Sequence, residues 1–391
     1  MSPMNSAAEV TPQQAMQWRL RQQHLIQPAR DLVATASRLG GIHAQVMSGA
    51  AQIVGIRTSS FTAPDLDDAL WKQRTLVKTW GMRGTLHLFP SAELPLWVAA
   101  FKQRQWPRFT PAWEKYHGIK PDDLRRITAA VGEVLPGRIL SRDELATEIA
   151  GALRKPALAE KIRSGWGVML KPAAAGGLLC FGPDRDRNVT FTDPRSHLSE
   201  VRWEDVDPDV AMREIVIRFL DVFGPATHED FGRWWGTDAA SARRVFAAHA
   251  DAMKPVSVEG KKAWLTPDAA GKIRRLRAPS GLMLLPGFDP YTIAPISARA
   301  YTIPDGFVGR VSRTAGWISP VLLVDGVVAG TWTLDQRPGK AAITVEPFTA
   351  ISAVNKKAAA KYAGLYRRIL DAEVEVRWTT GARAPLASHR S

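Results

Sequence analysis

The stretch LVKTWGMRGTLHLF, at residues 76–89, gives a clear indication of local structure. Its two ends, Leu76–Trp80 and Thr85–Phe89, are rich in the β-branched and aromatic residues that favour strands. The glycines of the intervening Gly81-Met82-Arg83-Gly84 tolerate the backbone conformations of a tight turn. The stretch therefore predicts a β-hairpin with Arg83 at its tip and His87 on its second strand.

Helices are predicted ahead of this hairpin. Thr11-Pro12-Gln13-Gln14 combines a capping box with proline at the first helical position, so a helix is expected to begin there. A second helix is predicted over Asp31–Leu39, ending at Gly40-Gly41. A third is expected to begin near Ile42 and to continue toward Ile56. Helices followed by a hairpin with a basic tip are typical of a winged helix, which is a helix-turn-helix variant.

The same order is repeated in the next part of the chain. A helix is predicted over Asp122–Leu135, and Ser141-Arg142-Asp143-Glu144 is a capping box for the next one. A third, glycine-containing helix is expected over Ala157–Leu170. The hairpin that follows is predicted to have strands at Leu178–Phe181 and Asn188–Phe191, and its turn carries Arg185 and Arg187.

The order is repeated a third time. The predicted helices are Val210–Phe223, a short helix capped by Thr227 and Asp230, and Ala239–Ala250. The predicted hairpin has strands at Pro255–Val258 and Ala263–Thr266, with Lys261 and Lys262 in its turn.

The last part of the chain has a different pattern. Its predicted strands are Gly281–Ala294, Trp317–Trp332, Ala341–Val345 and Val374–Trp378, with one helix over Val354–Leu370. Asp325-Gly326 favours the type I′ turn of a hairpin. We therefore predict an α+β fold of three tandem winged-helix units and a C-terminal β-rich region, at residues 1–119, 120–195, 196–280 and 281–391. The alternative is a mixed α+β fold whose turns only resemble wings.

Composition limits the possible functions. The 391 residues carry a net charge of +14, which favours a polyanionic partner such as nucleic acid, although a solvated basic face would give the same balance. No apolar run approaches the roughly 18 residues of a membrane span, so no membrane association is expected. A single cysteine, Cys180, provides no disulfide framework, and the histidines lack metal-ligand spacing. We expect a cytoplasmic, nucleoid-associated protein with neither metal nor cofactor.

The stretch LGGIHAQ, residues 39–45, is the candidate site. Its glycines let the backbone bend sharply before His43 and Gln45, which are expected at the start of a helix. A helix N-terminus presents free N–H groups and the positive end of a dipole, suited to a phosphate or a polarised water. The alternative is that both side chains are capping or partly exposed polar residues.

Several of these stretches resemble those of the AlkZ-type DNA glycosylases, a bacterial family with three tandem winged helices and a C-terminal β-rich region. The matching stretches are LGGIHAQ (39–45), LVKTWGMRGTLHLF (76–89), GPATHEDFGRWWG (224–236), LLPGFDPY (284–291) and VLLVDGVVAGTW (321–332). The resemblance implies hydrolysis of the N-glycosidic bond of alkylated purines, chiefly N7-alkylguanines, including bulky adducts and interstrand crosslinks. The family motif is glutamine, an aliphatic residue, then glutamine or aspartate, and it aligns here with His43, Ala44 and Gln45.

Histidine replaces the first glutamine of the motif, and the chemistry allows this change. N7 alkylation makes guanine cationic and so already a good leaving group, which leaves a water to be positioned and activated. Gln45 is predicted to orient this water through its amide oxygen, and a neutral His43 to accept its proton. Asp289 is interpreted as structural, because Asp before Pro favours a turn. Arg299 is interpreted as the remnant of a charged loop of the family.

Double-stranded, damaged DNA is the expected partner, bound by a monomer. The predicted DNA-contacting residues are Arg83, His87, Arg185, Arg187, Lys261, Lys262 and Arg299. The main alternative is a non-catalytic winged-helix regulator, which would share the fold and the charge. An RNA-binding or partner-docking module is a third possibility, and it would require exposed aromatic platforms.

Overall fold

A computed structural model describes residues 7–103, 110–164, 167–293 and 295–380. The chain forms two compact units. The discontinuous unit contains Met1–Leu66 and Val216–Ser391, and the central unit contains Asp67–Ile215. Both α-helices and β-sheets occur in each unit, so the fold is of the mixed α+β kind.

The α-helices of the described residues are α1 (Pro12–Gln22), α2 (Leu32–Leu39), α3 (Met47–Gly55), α4 (Ala63–Asp67), α5 (Leu94–Lys102), α6 (Pro111–His117), α7 (Pro121–Val134), α8 (Arg142–Ala152), α9 (Ala157–Arg163), α10 (Lys171–Ala175), α11 (Pro194–His197), α12 (Pro208–Phe223), α13 (His228–Trp235), α14 (Ala239–Ala248), α15 (Pro267–Ile273), α16 (Pro290–Ile293), α17 (Arg299–Thr302), α18 (Val308–Val311) and α19 (Ala353–Leu370). A π-helical turn covers Asp68–Lys72. None of the helices described is both long enough and apolar enough to cross a membrane.

The strands of the described residues are β1 (Ala8–Glu9), β2 (Ile42–His43), β3 (Leu76–Trp80), β4 (Leu86–Pro90), β5 (Ile139–Ser141), β6 (Cys180–Arg185), β7 (Asn188–Thr192), β8 (Lys254–Val258), β9 (Lys261–Leu265), β10 (Leu282–Leu285), β11 (Val321–Val324), β12 (Val327–Arg337), β13 (Lys340–Pro347) and β14 (Glu373–Trp378).

The predicted capping boxes at Thr11 and Ser141 and the predicted cap at Thr227 are confirmed. The side chain of each accepts a hydrogen bond from the backbone N–H three residues later, and its own backbone N–H donates to the side chain of that later residue. Each box satisfies N–H groups that have no partner within the helix, which fixes where the helix begins. The predicted end of α2 is also confirmed, since Gly40 is its left-handed C-cap.

Two sheets build the discontinuous unit. In the smaller sheet, β1 runs parallel to β8, which pairs antiparallel with β9. In the larger, five strands lie in the order β10-β11-β12-β13-β14, with β14 parallel to β13. Asp325 and Gly326 both have positive φ, at 50° and 82°, so the predicted type I′ hairpin turn is present between β11 and β12. Helix α19 packs against β10 and β14.

Among its described residues, the central unit contains the β3–β4 hairpin and a separate antiparallel sheet. Strands β3 and β4 form the antiparallel hairpin of the opening stretch, with Leu76 opposite Pro90 and Trp80 opposite Leu86. Strands β5, β7 and β6 form an antiparallel sheet in that order. Ring contacts join Trp80 to Phe181 and Phe191 within the core that α7, α8 and α9 share.

Several predicted bounds of helices and strands were wrong. The third helix begins at Met47 instead of Ile42, because Gly40 and Gly41 have positive φ and the chain then continues extended as β2. Helix α9 ends at Arg163, where Ser164 becomes extended. The strand predicted over Gly281–Ala294 ends at Leu285. Pro286 offers no amide donor to continue the ladder, and Phe288 has a φ of +58°. Ala294 itself lies outside the described residues.

Candidate active site and basic hairpins

His43 is fixed in place by an aromatic contact. The chain reverses through Gly40 and Gly41, whose φ values are 68° and 100°, and then enters β2, which ends at His43. The imidazole is only 9% exposed. It stacks on the ring of Phe288, with centroids 4.8 Å apart and planes at 17°. This stacking restricts the orientation of the imidazole.

Phe288 itself is held in an unusual backbone conformation. Its φ of +58° is rare for a residue with a bulky side chain and costs energy that the surrounding structure must offset. The Phe288 N–H donates to the carbonyl oxygen of Ile318, at 3.3 Å. The next residue, Asp289, provides the stronger anchor.

Asp289 and Arg57 form an ion pair whose two side chains are fully buried. Nη1 and Nη2 of Arg57 donate to the two carboxylate oxygens of Asp289, at 2.8 Å and 2.7 Å. Arg57 also donates to the carbonyl oxygens of Gln23 and Ile53. Because Ile53 lies in α3, the pair connects that helix to the loop that carries Phe288. Asp289 is thus structural, as the sequence suggested, but it acts through a buried partner that the sequence did not reveal.

Gln45 lies two residues beyond His43, on the connection to α3, and is exposed. The N-cap of α3 is Val46, which has no oxygen to cap the helix, so the first N–H groups of α3 receive no hydrogen bond from the N-cap side chain. The N-terminus of α3, which carries the positive end of the helix dipole, therefore begins directly after Gln45 in the chain. This arrangement suits an anion or a polarised water.

The β3–β4 hairpin carries Arg83 and His87, both in the central unit. Arg83 lies in the turn with a φ of 56° and is half-buried, and burial lowers the pKa of its guanidinium. His87 is only 3% exposed, and its Nδ1 lies 3.0 Å from the carbonyl oxygen of Thr85. Its ring also stacks on Phe89. A DNA contact by His87 therefore remains a prediction for a side chain that is buried in this structure.

The two arginines of the β6–β7 hairpin, Arg185 and Arg187, have different surroundings. The strands are longer than predicted, so the turn is reduced to Asp186 and Arg187. Arg185 donates to both carboxylate oxygens of Glu144, at 3.0 Å and 3.2 Å. Arg187 is exposed and pairs with no carboxylate in the part of the chain that the structure describes. Of the two, Arg187 is the one with a guanidinium available to a phosphate.

The β8–β9 hairpin turns at Glu259 and Gly260, so Lys261 and Lys262 lie on β9 instead of in the turn. Both lysines are exposed. The ammonium of Lys262 lies 5.2 Å from the ring centroid of Trp264, a cation–π contact on the strand surface.

Arg299 lies at the start of α17, on a loop fixed by α13. The capping residue Asp230 also accepts a hydrogen bond from the backbone N–H of Ser297, at 2.9 Å. Burial, and then the positive charge of Arg233, lower the pKa of Arg299. Arg233 of α13 and Arg299 of α17 thus lie close enough for their positive charges to interact, and a pair of guanidinium groups is suited to a phosphate.

The sequence indicated neither Phe288 nor Arg57 as part of the site. The family stretch LLPGFDPY contained Phe288, but its positive φ has no sequence signal because glycine is the usual residue there. Arg57 is separated from Asp289 by more than half of the chain, and only the folded structure brings the two together.

Comparisons with known proteins agree with this architecture. A family model described as "DNA glycosylase AlkZ-like" matches residues 36–369. The chain is 36% identical over 362 residues to the interstrand DNA cross-link repair glycosylase of Streptomyces sahachiroi. This alignment covers 88% of this chain and 94% of that protein. The structure also matches that of Streptomyces sahachiroi DNA glycosylase AlkZ with a TM-score of 0.86 and 32% identity, over 95% of this chain and 100% of that one.

These similarities define the class of the protein as a DNA glycosylase, an enzyme that cleaves N-glycosyl bonds in DNA. The chain belongs to the AlkZ-like DNA glycosylase family. This assignment confirms the family resemblance of the sequence and favours the enzyme over the non-catalytic regulator.

Proposed function

We propose that this glycosylase hydrolyses the N-glycosidic bond of N7-alkylated purines in damaged double-stranded DNA, as bulky adducts or interstrand crosslinks, with His43 and Gln45 as its catalytic residues. The observation that carries the proposal is the stacked and buried His43 beside exposed Gln45, at an N-terminus of α3 that its N-cap residue leaves uncapped. The similarity to a glycosylase named for crosslink repair supports the substrate class.

The reaction needs no cofactor. When the bond between C1′ and N9 breaks, its electron pair moves to the base and neutralises the positive charge of the alkylated ring. The sugar carbon becomes oxocarbenium-like, and the oxygen of a water forms the new bond to C1′. Gln45 accepts a hydrogen bond from this water, while neutral His43 takes its proton. A general base of this kind is typically worth about 10²–10⁴-fold in rate.

The direct test is base release from duplex DNA containing 7-methylguanine or an N7-guanine interstrand crosslink. We expect release of the free modified base and an abasic site from the methylated duplex, and separation of the strands of the crosslinked one. Unmodified duplex serves as the control. Tight binding to both lesions without release of either base would contradict the proposal.

The pH dependence of the reaction tests the role of His43. A protonated imidazole no longer accepts a proton and repels the cationic lesion. If His43 is the base, the single-turnover rate is therefore expected to fall as the pH is lowered and the imidazole becomes protonated. His43→Gln restores the family residue at this position and should give a profile without this decline. A flat wild-type profile between about pH 5 and pH 8 would exclude histidine as the base.

DNA binding is proposed to follow the winged-helix pattern. The three wings would be β3–β4, β6–β7 and β8–β9, within units at residues 1–119, 120–195 and 196–280, with 281–391 as the β-rich region. The contacting side chains would be Arg83, His87, Arg185, Arg187, Lys261, Lys262 and Arg299. The net charge of +14 supports a phosphate-dominated contact. A monomer in the cytoplasm, associated with the nucleoid, is the form in which we propose that it acts.

Salt dependence distinguishes the two arginines of the second proposed wing. Arg187→Ala is expected to weaken DNA binding and to reduce the slope of log affinity against log salt by about 1, as for the loss of one phosphate contact. Arg185→Ala is the matched control and should change the slope less, because Glu144 already pairs with Arg185. Fluorescence anisotropy at several salt concentrations measures both. If the slope of log affinity against log salt is the same for Arg187→Ala and wild type, Arg187 does not contact a phosphate.

A further inference from the structure

A cavity of about 600 Å³ is lined by Trp317, whose ring contacts Phe288, the residue that stacks on His43. One wall is formed by β12 and β13, through Thr331, Thr333 and Glu346. The other is the segment 309–320, which carries Trp317 and Arg313. This volume lies within the range of about 300–1,000 Å³ that is usual for small-molecule sites. All of these residues, and His43, belong to the discontinuous unit.

Trp317 is an unusually exposed aromatic side chain on an ordered loop. Trp317 is 47% exposed. Its ring makes a T-shaped contact with the ring of Phe288, with centroids 5.0 Å apart and planes at 77°. The loop is closed by an antiparallel bridge between Ser312 and Ile318 and by a hydrogen bond from the N–H of Arg313 to the carbonyl oxygen of Trp317. Trp317 is thus presented to the cavity by a folded support.

The charged side chains that line the cavity carry a net positive charge. Arg310 pairs with Glu346, at 2.5 Å, so these two charges compensate each other. Arg313 is exposed and forms no ion pair with a carboxylate of the described residues. A flat apolar ring next to an uncompensated guanidinium favours a planar aromatic group that has an anion close to it. An aromatic group attached to DNA always has a phosphate nearby.

The distance to His43 determines which part of a lesion would reach the cavity. Phe288 contacts both rings, at 4.8 Å from His43 and 5.0 Å from Trp317, so the outer two centroids are at most about 10 Å apart. The sugar carbon under attack must lie about 3–3.5 Å from the oxygen of the water that His43 and Gln45 are proposed to hold. A group on Trp317 is therefore farther away than the base being released, but within reach of a substituent that projects from N7.

We propose that this cavity is a subsite for the planar aromatic substituent of a bulky N7 adduct, which stacks on Trp317 while Arg313 binds a neighbouring phosphate. The inference rests on the proposed function, because it assumes an N7-substituted purine at His43. It makes Trp317 a determinant of specificity between small and bulky aromatic lesions.

The test compares two duplexes of the same sequence, one with 7-methylguanine and one with 7-(naphthylmethyl)guanine. Wild type should bind the naphthylmethyl duplex more tightly than the methyl duplex. The ratio of kcat/KM for the naphthylmethyl duplex to kcat/KM for the methyl duplex should be greater than one. Trp317→Ala is expected to lower this ratio about tenfold, which corresponds to one lost stacking contact. Trp317→Phe, which keeps a ring, should retain most of it. Tyr116→Ala removes another highly exposed aromatic side chain, 85% exposed, and should leave the ratio unchanged.

The outcomes separate the two proposals. An unchanged ratio in Trp317→Ala would overturn the subsite. An equal loss of kcat/KM for both lesions would overturn it too, because that result is expected if Trp317 only supports Phe288 or receives an extruded base. Release of neither base by wild type would overturn the proposed function alone. In that case a preference for binding the naphthylmethyl duplex that Trp317→Ala abolishes would still support the subsite.

Discussion

Gln45→Ala is expected to reduce the single-turnover rate of base release about 10²-fold, the scale of loss when a reacting group is no longer correctly placed. His43→Ala is expected to cost about 10²–10⁴-fold, as for the loss of a general base. The free energy of unfolding should hardly change in Gln45→Ala, because that side chain is exposed. His43→Ala also removes the stacking contact with Phe288, so its melting temperature must be measured beside the rate.

The double variant His43→Ala/Gln45→Ala sharpens this prediction. If both side chains act on one water, the second substitution should add little to the loss caused by the first, because residues that act as a unit are strongly non-additive. DNA affinity is the control measurement and should stay near that of wild type. Losses that multiply would indicate that the two residues act on separate steps. A Gln45→Ala enzyme with the wild-type rate would remove Gln45 from the catalytic motif.

Local interactions explain why much of the fold was predictable. The capping residues Thr11, Ser141 and Thr227 each lie three residues from the groups they bind, so a short sequence window contains the whole interaction. Asp325-Gly326 is likewise a turn signal that its own backbone conformation fulfils. Where an element is specified by near neighbours in the chain, a pattern is sufficient to place it.

The predictions that failed depended on geometry that no short window contains. Gly40 and Gly41 were correctly interpreted as the end of a helix, but the direction in which they send the chain made Ile42 extended instead of helical. The predicted strand after Gly281 stopped early at the bend that carries Phe288. A sequence shows that a bend is possible, while tertiary contacts decide its direction.

The candidate site was predictable only in part for the same reason. The family motif indicated His43 and Gln45 as candidates, and these two residues lie close together in the chain. The groups that hold His43 are distant in sequence, and no periodicity connects Arg57 to Asp289 or Phe288 to His43. Trp317 likewise gains its place beside the site only through a folded loop.

Asp289→Asn is expected to destabilise the discontinuous unit by about 3–5 kcal/mol, because it leaves the Arg57 charge buried without a counter-charge. Asparagine keeps the shape of the side chain and an oxygen for the N–H of Tyr291, so the loss is due mainly to the missing charge. The corresponding fall in melting temperature is on the order of 10 °C. Asp325→Asn is the matched control, since Asp325 accepts a backbone hydrogen bond at an exposed turn. Calorimetry measures both variants.

The same substitution should also lower the rate of base release at temperatures well below the transition. Asp289 adjoins Phe288, and Arg57 connects Asp289 to α3, so a loosened pair disturbs the stack on His43 and the helix that follows Gln45. Asp289 would then be a positioning residue, with a fall in kcat and little change in DNA affinity. Phe288→Leu, which removes the flat ring but leaves the ion pair intact, should reproduce the kinetic defect with a smaller loss of stability. If Asp289→Asn melts lower yet releases bases at the wild-type rate, the ion pair stabilises the fold without positioning the site.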